Sequence, residues 1–178
     1  MIWLALRSNR EIDTGDAKPV RQRSYRQSAE MQREKGILND EMLSANIIQP
    51  SNSPWSSLCL LIKKSGTNEY RFVNDLRALN KLTKPIFWPL PTVDDIFDLP
   101  SNNNPQFFSQ IDIKHVYFQI FLDEESRPKT AFTANGRHYE YTRMVTGLCN
   151  STQTWQRLLM KVWSDMVFES AIVLGEAV

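Results

Sequence analysis

The chain has two cysteines in 178 residues. So small a number excludes the disulfide framework that staples small secreted folds. Cys59 and Cys149 each sit among apolar neighbours without the spacing of metal ligands. Both read as reduced, packed thiols of an intracellular protein, cytoplasmic or nuclear. Long apolar runs are missing too. Ile2-Trp3-Leu4-Ala5-Leu6 is too short for a signal-peptide core and far too short to span a bilayer, so no membrane partner is expected. It reads as an unrelated start fused to the rest of the chain, or as a short buried strand. Neither an internal repeat nor a low-complexity tract is present, and neither sign of charge dominates: 21 basic against 20 acidic residues, a net of +1. A hydrophobic fraction of 42% with 23% charged residues excludes wholesale disorder and fits one globular domain or part of a larger one.

What is there is unevenly placed. Between Lys63 and Lys84, six cations (Lys63, Lys64, Arg71, Arg77, Lys81, Lys84) stand against Glu69 and Asp75. That surplus suits phosphates, and a solvated face produces the same composition. Residues 7–24 are polar and aperiodic and read as an extended arm. From Tyr25 to Leu43 good helix formers carry a weak apolar stripe of Met31, Ile37, Leu38 and Met42, interrupted by Gly36. Residues 58–64 and 70–74 are β-rich runs joined by turn chemistry, a hairpin that would project its basic residues outward. Three prolines, Pro85, Pro89 and Pro91, make a rigid connector, and Thr92 with Asp95 signals a short helix ending before Pro100. Strands are expected at 107–113, 118–122, 129–133 and 137–142, the last two around Asn135-Gly136, a favoured type I′ pair. Residues 123–128 are expected to be a polar link or one helical turn. Thr154, Trp155, Leu158, Leu159, Val162, Trp163, Met166 and Val167 recur at helical spacing and define a core-facing helix. A final apolar run, 171–174, begins a strand.

Asp112 is the oddity. It lies inside Phe107-Phe108-Ser109-Gln110-Ile111-Asp112-Ile113, an otherwise apolar and β-branched run. Asp is a poor strand former, and a charge in a partly dry site costs several kcal/mol unless something compensates. A bound metal would compensate; an Asp that ends the strand and faces water would need nothing.

Read in order, the motifs resemble the reverse transcriptase of gypsy-type long-terminal-repeat retrotransposon Pol polyproteins over nearly the whole chain. Residues 12–20 resemble the lead-in segment, and Ile47-Ile48-Gln49-Pro50-Ser51-Asn52-Ser53-Pro54-Trp55 the "I-x-P-S-x-S-P-W" entry to the fingers. Lys63-Lys64 with residues 70–80 is similar to the fingers hairpin and its "D-x-R-x-L-N" exit, and Trp88-Pro89-Leu90-Pro91 to "Y-P-L-P". The Asp112 strand matches the first palm motif. Residues 127–132, then Met144-Val145-Thr146-Gly147-Leu148-Cys149-Asn150 and Gln156-Arg157, complete the set.

The resemblance implies an α+β fold, the fingers and incomplete palm of a right-hand polymerase, with an antiparallel palm sheet backed by helices. It divides the chain into an arm (1–24), a fingers-like region (25–91) and a partial palm (92–178). It implies two-metal nucleotidyl transfer by an RNA-directed DNA polymerase, with RNA or DNA template-primer and deoxynucleotides as partners and Mg²⁺ as cofactor. Two ions about 3.5–4 Å apart activate the attacking hydroxyl and neutralise the leaving phosphate. Asp112 matches the family's first metal carboxylate, and Ile113 would lend a backbone carbonyl. Tyr117 matches the aromatic under the incoming sugar, with a packed strand aromatic of the palm as the lesser alternative. Lys64 and Arg71 match the cations that hold the triphosphate. Asp75 and Arg77 would orient the fingers and contact the template, and Gly147 would allow close backbone approach or simply form a turn. The pattern departs from the family at Val116, where Gly or Ala is usual and a branched side chain would crowd the nucleotide, at His115, and at Val145 and Thr152, which replace prolines. Where the family carries "Y-x-D-D", the chain reads Leu174-Gly175-Glu176-Ala177-Val178. The chain is therefore expected to be inactive as written. A catalytically dead, domesticated module that binds nucleic acid or protein is the alternative, and oligomeric state is not legible.

Overall fold

The computed structural model describes residues 10–23, 25, 27–67, 69–89, 94, 98, 106–107 and 113–162. The described part of the arm, residues 10–23, is extended, as expected, and is stitched to the body at Arg10 and again at Val20 and Gln22. The Arg10 N–H donates to the Phe121 carbonyl at 2.9 Å, and Gln22 and Ser56 exchange backbone bonds with Ser56 and Val20 at 2.8 and 2.9 Å. Ile12, 5% exposed, is thereby carried into the core.

Helix α1 (Ala29–Ser44) begins where Ser28 accepts the Met31 N–H at 3.2 Å. That cap sets the start four residues after the expected one. The buried face also differs from the sequence reading: Ile37 is 53% exposed, whereas Lys35 and Asn39 are 4% and 2% exposed. The reason lies in what meets the helix. A side chain at Gly36 would press on the Asn135 amide at 3.4 Å, and that amide donates to the Gln32 carbonyl at 2.7 Å. The Lys35 ammonium reaches the Cys59 carbonyl at 3.2 Å. Polar groups anchor the first half of this helix because a hairpin turn and a strand backbone face it there, whereas Met42 of the expected stripe, with Leu43, packs on the core at its end.

The strands form two antiparallel sheets. Strands β1 (Ile48–Pro50), β4 (Phe132–Ala134) and β5 (Arg137–Tyr141) pair in the order β1-β5-β4, and β2 (Leu58–Lys63) pairs with β3 (Tyr70–Asp75) from Leu58↔Asp75 to Lys63↔Tyr70. Asn135 and Gly136 have φ of 50° and 75°, the two positive values that a type I′ turn requires. The Ser57 N–H donates to the Ala131 carbonyl at 2.7 Å and joins the sheets. Phe132, fully buried, fills that junction: its ring centroid lies 5.4 Å from Phe72, 5.9 Å from Tyr139 and 5.3 Å from Tyr141.

Two strand expectations are corrected. Val116–Gln119 is a 3₁₀ turn rather than the start of a strand, and only the isolated bridges of Phe121 with Arg143 and Leu122 with Arg10 remain of it. Arg127–Thr130 is likewise a 3₁₀ turn, which delays β4 to Phe132. In the second, Pro128 fixes φ near its 3₁₀ value and Thr130 Oγ1 donates back to the Arg127 carbonyl at 2.7 Å. A short helix α2 (Arg77–Asn80) leaves β3, and α3 (Ser151–Val162) buries Thr154, Trp155, Gln156 and Leu158 on the core. Helix α3 starts three residues before the expected one. The expected strand 107–113, the short helix after Thr92, the helix beyond Val162 and the runs at 2–6 and 171–174 lie wholly or mainly outside the described residues. No helix among the described residues is long and apolar enough to cross a membrane.

Candidate functional site

Strand alternation decides what the hairpin presents. Register pairs Ile62 with Arg71, Leu60 with Val73 and Leu58 with Asp75 on one face. The pairing continues past β2, since the Lys64 N–H donates to the Glu69 carbonyl at 2.9 Å, so Lys64 joins that face. Lys64, Arg71 and Asp75, singled out by separate motifs, therefore form one stripe. The opposite face, with Cys59, Leu61 and Phe72, turns to the core.

Along this stripe the charges are in different states. Lys64 Nζ donates to Glu69 Oε2 at 2.7 Å with both side chains largely in solvent, and this bond first of all holds the Glu69 carboxyl below its ordinary value. An exposed pair of this kind is easily exchanged for another anion. Arg71 is exposed and has no ion-pair or hydrogen-bond partner among the described residues. Asp75 and Arg77 grip each other: Arg77 Nε donates to Oδ1 at 2.9 Å and Nη2 to Oδ2 at 2.6 Å, while the Arg77 N–H donates to Oδ1 at 3.1 Å. The Asp75 side chain is 11% exposed against 85% for Arg77. The bidentate bond is the main reason the Asp75 carboxyl is lowered and the Arg77 guanidinium raised.

The pair launches α2, and α2 delivers Asn80 to the loop that bears Gly147. Asn80 Nδ2 donates to the Gly147 carbonyl at 2.7 Å and its Oδ1 accepts the Cys149 N–H at 3.0 Å. Asn150 makes the reciprocal clamp: its Oδ1 accepts the Ile86 N–H at 3.0 Å and its Nδ2 donates to the Lys84 carbonyl at 2.9 Å. Two amides thus lock the exit of the hairpin to the loop before α3. Sequence reasoning missed both residues, although each closes a recognised motif and a carboxamide offers a donor and an acceptor on two separate atoms of one short side chain. Gly147 has φ of 90°, and a Cβ there would meet nothing within 4 Å. Its glycine is demanded by backbone conformation, and the space beside it is open.

Tyr117, half-buried in the 3₁₀ turn, sets its hydroxyl 3.4 Å from Thr152 Oγ1 on α3. Val116 is half-buried beside it. His115 takes a left-handed conformation, φ 51°, and stacks on Phe118 with centroids 6.2 Å apart, a structural part. Ile113 is half-buried against the core, and Asp112 lies outside the described residues. Among the described residues no three His, Cys, Asp or Glu side chains come together to hold a metal ion.

The family model for reverse transcriptase (RNA-dependent DNA polymerase) matches residues 62–169, from the end of β2 past α3. The chain belongs to the reverse transcriptase family. Its relatives include the retrovirus-related Pol polyproteins of transposons 297 and gypsy from Drosophila melanogaster. The first is 36% identical over 91% of this chain and 16% of the relative, the second 35% identical over 88% and 15%. The chain thus spans about a sixth of the length of these relatives. Among solved structures, the protease-reverse transcriptase of prototype foamy virus superposes with a TM-score of 0.77 at 23% identity, over 89% of this chain and 21% of that one. A foamy viral protease-reverse transcriptase in complex with RNA/DNA hybrid gives 0.74 at 21%, over 93% and 22%. The α+β reverse transcriptase fold read from the motifs is the fold of the chain.

Proposed function

We propose that the chain is the fingers and partial palm of an RNA-directed DNA polymerase, with residues 1–24 as its arm, 25–91 as fingers and 92–178 as palm. The observation that carries this reading is the hairpin face: Lys64, Arg71 and the Asp75–Arg77 pair lie in one stripe, which Asn80 ties to the Gly147 loop. Lys64 exchanges Glu69 for a triphosphate oxygen, and Arg71 grips the same group with its planar fork. Arg77, fixed by Asp75, faces the template backbone. The open side of Gly147 admits the primer end or nucleotide, and the Tyr117 ring lies under the sugar and excludes a 2′-hydroxyl. Template-primer of RNA or DNA and deoxynucleotides are the partners in this reading.

The described residues alone do not make a metal site, so the ion's place rests on Asp112 and the Ile113 carbonyl, by family likeness. Mg²⁺, which keeps several waters and is held by one or two carboxylates with substrate phosphates, would there supply neutralisation of phosphate charge. One carboxylate does not oppose the repulsion between two divalent ions. We therefore expect the 178-residue polypeptide to bind without extending a primer.

The test is primer extension by a version that also carries a Tyr-x-Asp-Asp hairpin and thumb, with Gly at position 116. Extension with Mg²⁺ that Asp112→Asn abolishes is the expected result. Extension that survives Asp112→Asn would place the site elsewhere.

A further inference from the structure

The outer edge of β3 is open. The Lys64 N–H meets the Glu69 carbonyl at 2.9 Å, and this rung sets the alternation of the hairpin: Ile62 with Arg71, Leu60 with Val73 and Leu58 with Asp75 are the hydrogen-bonded pairs that follow it. The N–H and carbonyl groups of Tyr70, Phe72 and Asn74 therefore point away from β2. The two-stranded sheet ends there, and none of these backbone groups has a hydrogen-bond partner among the described residues.

Natural edges are blunted by proline, by bulges or by charges that repel a second strand. This one is not. Its pairing with β2 runs without a bulge from Leu58↔Asp75 to Lys63↔Tyr70, and Tyr70-Arg71-Phe72-Val73-Asn74-Asp75 holds neither proline nor glycine. Its one cation and one anion, Arg71 and Asp75, stand two residues to either side of Val73. Such a spacing is self-complementary. If β3 pairs antiparallel with β3 of a second copy about Val73, Arg71 stands opposite Asp75 of the second copy, Val73 opposite Val73 of the second copy, and Phe72 and Asn74 exchange the backbone bonds. The charged and valine positions are then the non-hydrogen-bonded pairs, where side chains across two strands come closest. A shift of register in either direction sets Val73 against Arg71 or Asp75 and loses both charge pairs.

The side chains are in states that allow this pairing. Arg71 is exposed and has no ion-pair or hydrogen-bond partner among the described residues, and Val73 is half-buried. Asp75 holds Arg77 through both oxygens, but a carboxylate offers about four lone-pair sites and accepts a second guanidinium. We propose that the outer edge of β3 docks a second copy of this chain, whose own β3 completes a four-stranded antiparallel sheet. The contact uses the same edge of both copies, so it closes at two. So short a strand contact belongs with the small, transient interfaces, and the dimer forms and parts with concentration. Nothing in it depends on the polymerase function proposed for the chain.

The experiment is sedimentation velocity on the 178-residue chain over a range of protein concentration and salt. A monomer–dimer equilibrium without larger species is expected, weakened by salt because the ion pairs lie at the surface. Arg71→Glu, which sets two carboxylates against each other at both ends of the contact, should raise the dissociation constant about tenfold or more. Val73→Lys, which sets two ammonium groups against each other at its centre, should do the same, whereas Val73→Thr should stay within about twofold of the parent. A monomer at every concentration, a dimer that both charged variants leave intact, or open-ended polymers in place of a dimer would overturn the proposal. Should the charged variants melt early, a disulfide trap in a Cys149→Ser background decides. Val73→Cys puts two thiols across a non-hydrogen-bonded pair, where Cα atoms about 4.5 Å apart lie within disulfide range. In a glutathione redox buffer it should give a covalent dimer about tenfold faster than Ile37→Cys, at a position of α1 that is 53% exposed. Equal rates would refute the docking edge.

Discussion

Asn80 and Asn150 each satisfy two backbone groups at once, so their loss is felt by more than the amide removed. Asn80→Ala leaves the half-buried Cys149 N–H without its partner, while the exposed Gly147 carbonyl turns to water. A cost of about 1 kcal/mol is expected, read as a lower urea midpoint with unchanged slope; an unaltered midpoint would show that water replaces the clamp at no cost. The Asp75–Arg77 pair predicts a pH dependence with a definite sign. The folded-state carboxyl is lowered, chiefly by the bond from Arg77, so its contribution is fully present above the ordinary carboxylate value and is lost as pH falls through the lowered one. Arg77→Gln should therefore destabilise the chain near neutrality and flatten the loss of stability on acidification, as urea melts at neutral and acid pH would show. Burial pushes the Cys59 thiol up to about 11. It should resist alkylation near neutrality until the chain unfolds, and rapid labelling of native Cys59, seen by mass spectrometry, would contradict its place behind Lys35. At this scale the sequence displayed charge and identity well, whereas the Asn clamps were invisible because they bind backbone, whose position no motif records.

Among the elements, the hairpin was legible because alternation, a turn-rich joint and β-branched residues agree, and β4–β5 because Asn-Gly dictates its turn. The 3₁₀ turns at 116–119 and 127–130 were not. Val116, Tyr117 and Phe118 favour strands intrinsically, yet His115 at positive φ and the contact of Tyr117 with α3 turn the chain away from a ladder. Helix α1 was found, and Met42 of its stripe does pack on the core, but not the burial of Lys35 and Asn39 or the exposure of Ile37, which follow from the polar contacts of Lys35 with the Cys59 carbonyl and of Asn135 with the Gln32 carbonyl. The junction of the two sheets rests on Phe132. Phe132→Ala should cost about 3–5 kcal/mol, since the ring is fully buried among Phe72, Tyr139 and Tyr141. A thermal melt within a few degrees of the parent would show that the sheets are held together elsewhere.

For the molecule as a whole, the ordered motifs sufficed to identify the reverse transcriptase fold, while the site emerged only from strand register, which brings Lys64, Arg71 and Asp75 onto one face from positions 64, 71 and 75. The candidate carboxylate Asp112 was the first residue to draw attention in the sequence, and its role still rests on the motif that surrounds it. The central claim is that the hairpin stripe holds a nucleoside triphosphate, and titration of a fluorescent deoxynucleotide triphosphate into the chain tests it most directly. The account predicts binding that weakens steeply with salt and falls about tenfold or more when Lys64 and Arg71 are both replaced by Ala, with the melting curve unchanged because both side chains are exposed. Affinity that is indifferent to salt, or equal in the double variant, would contradict it.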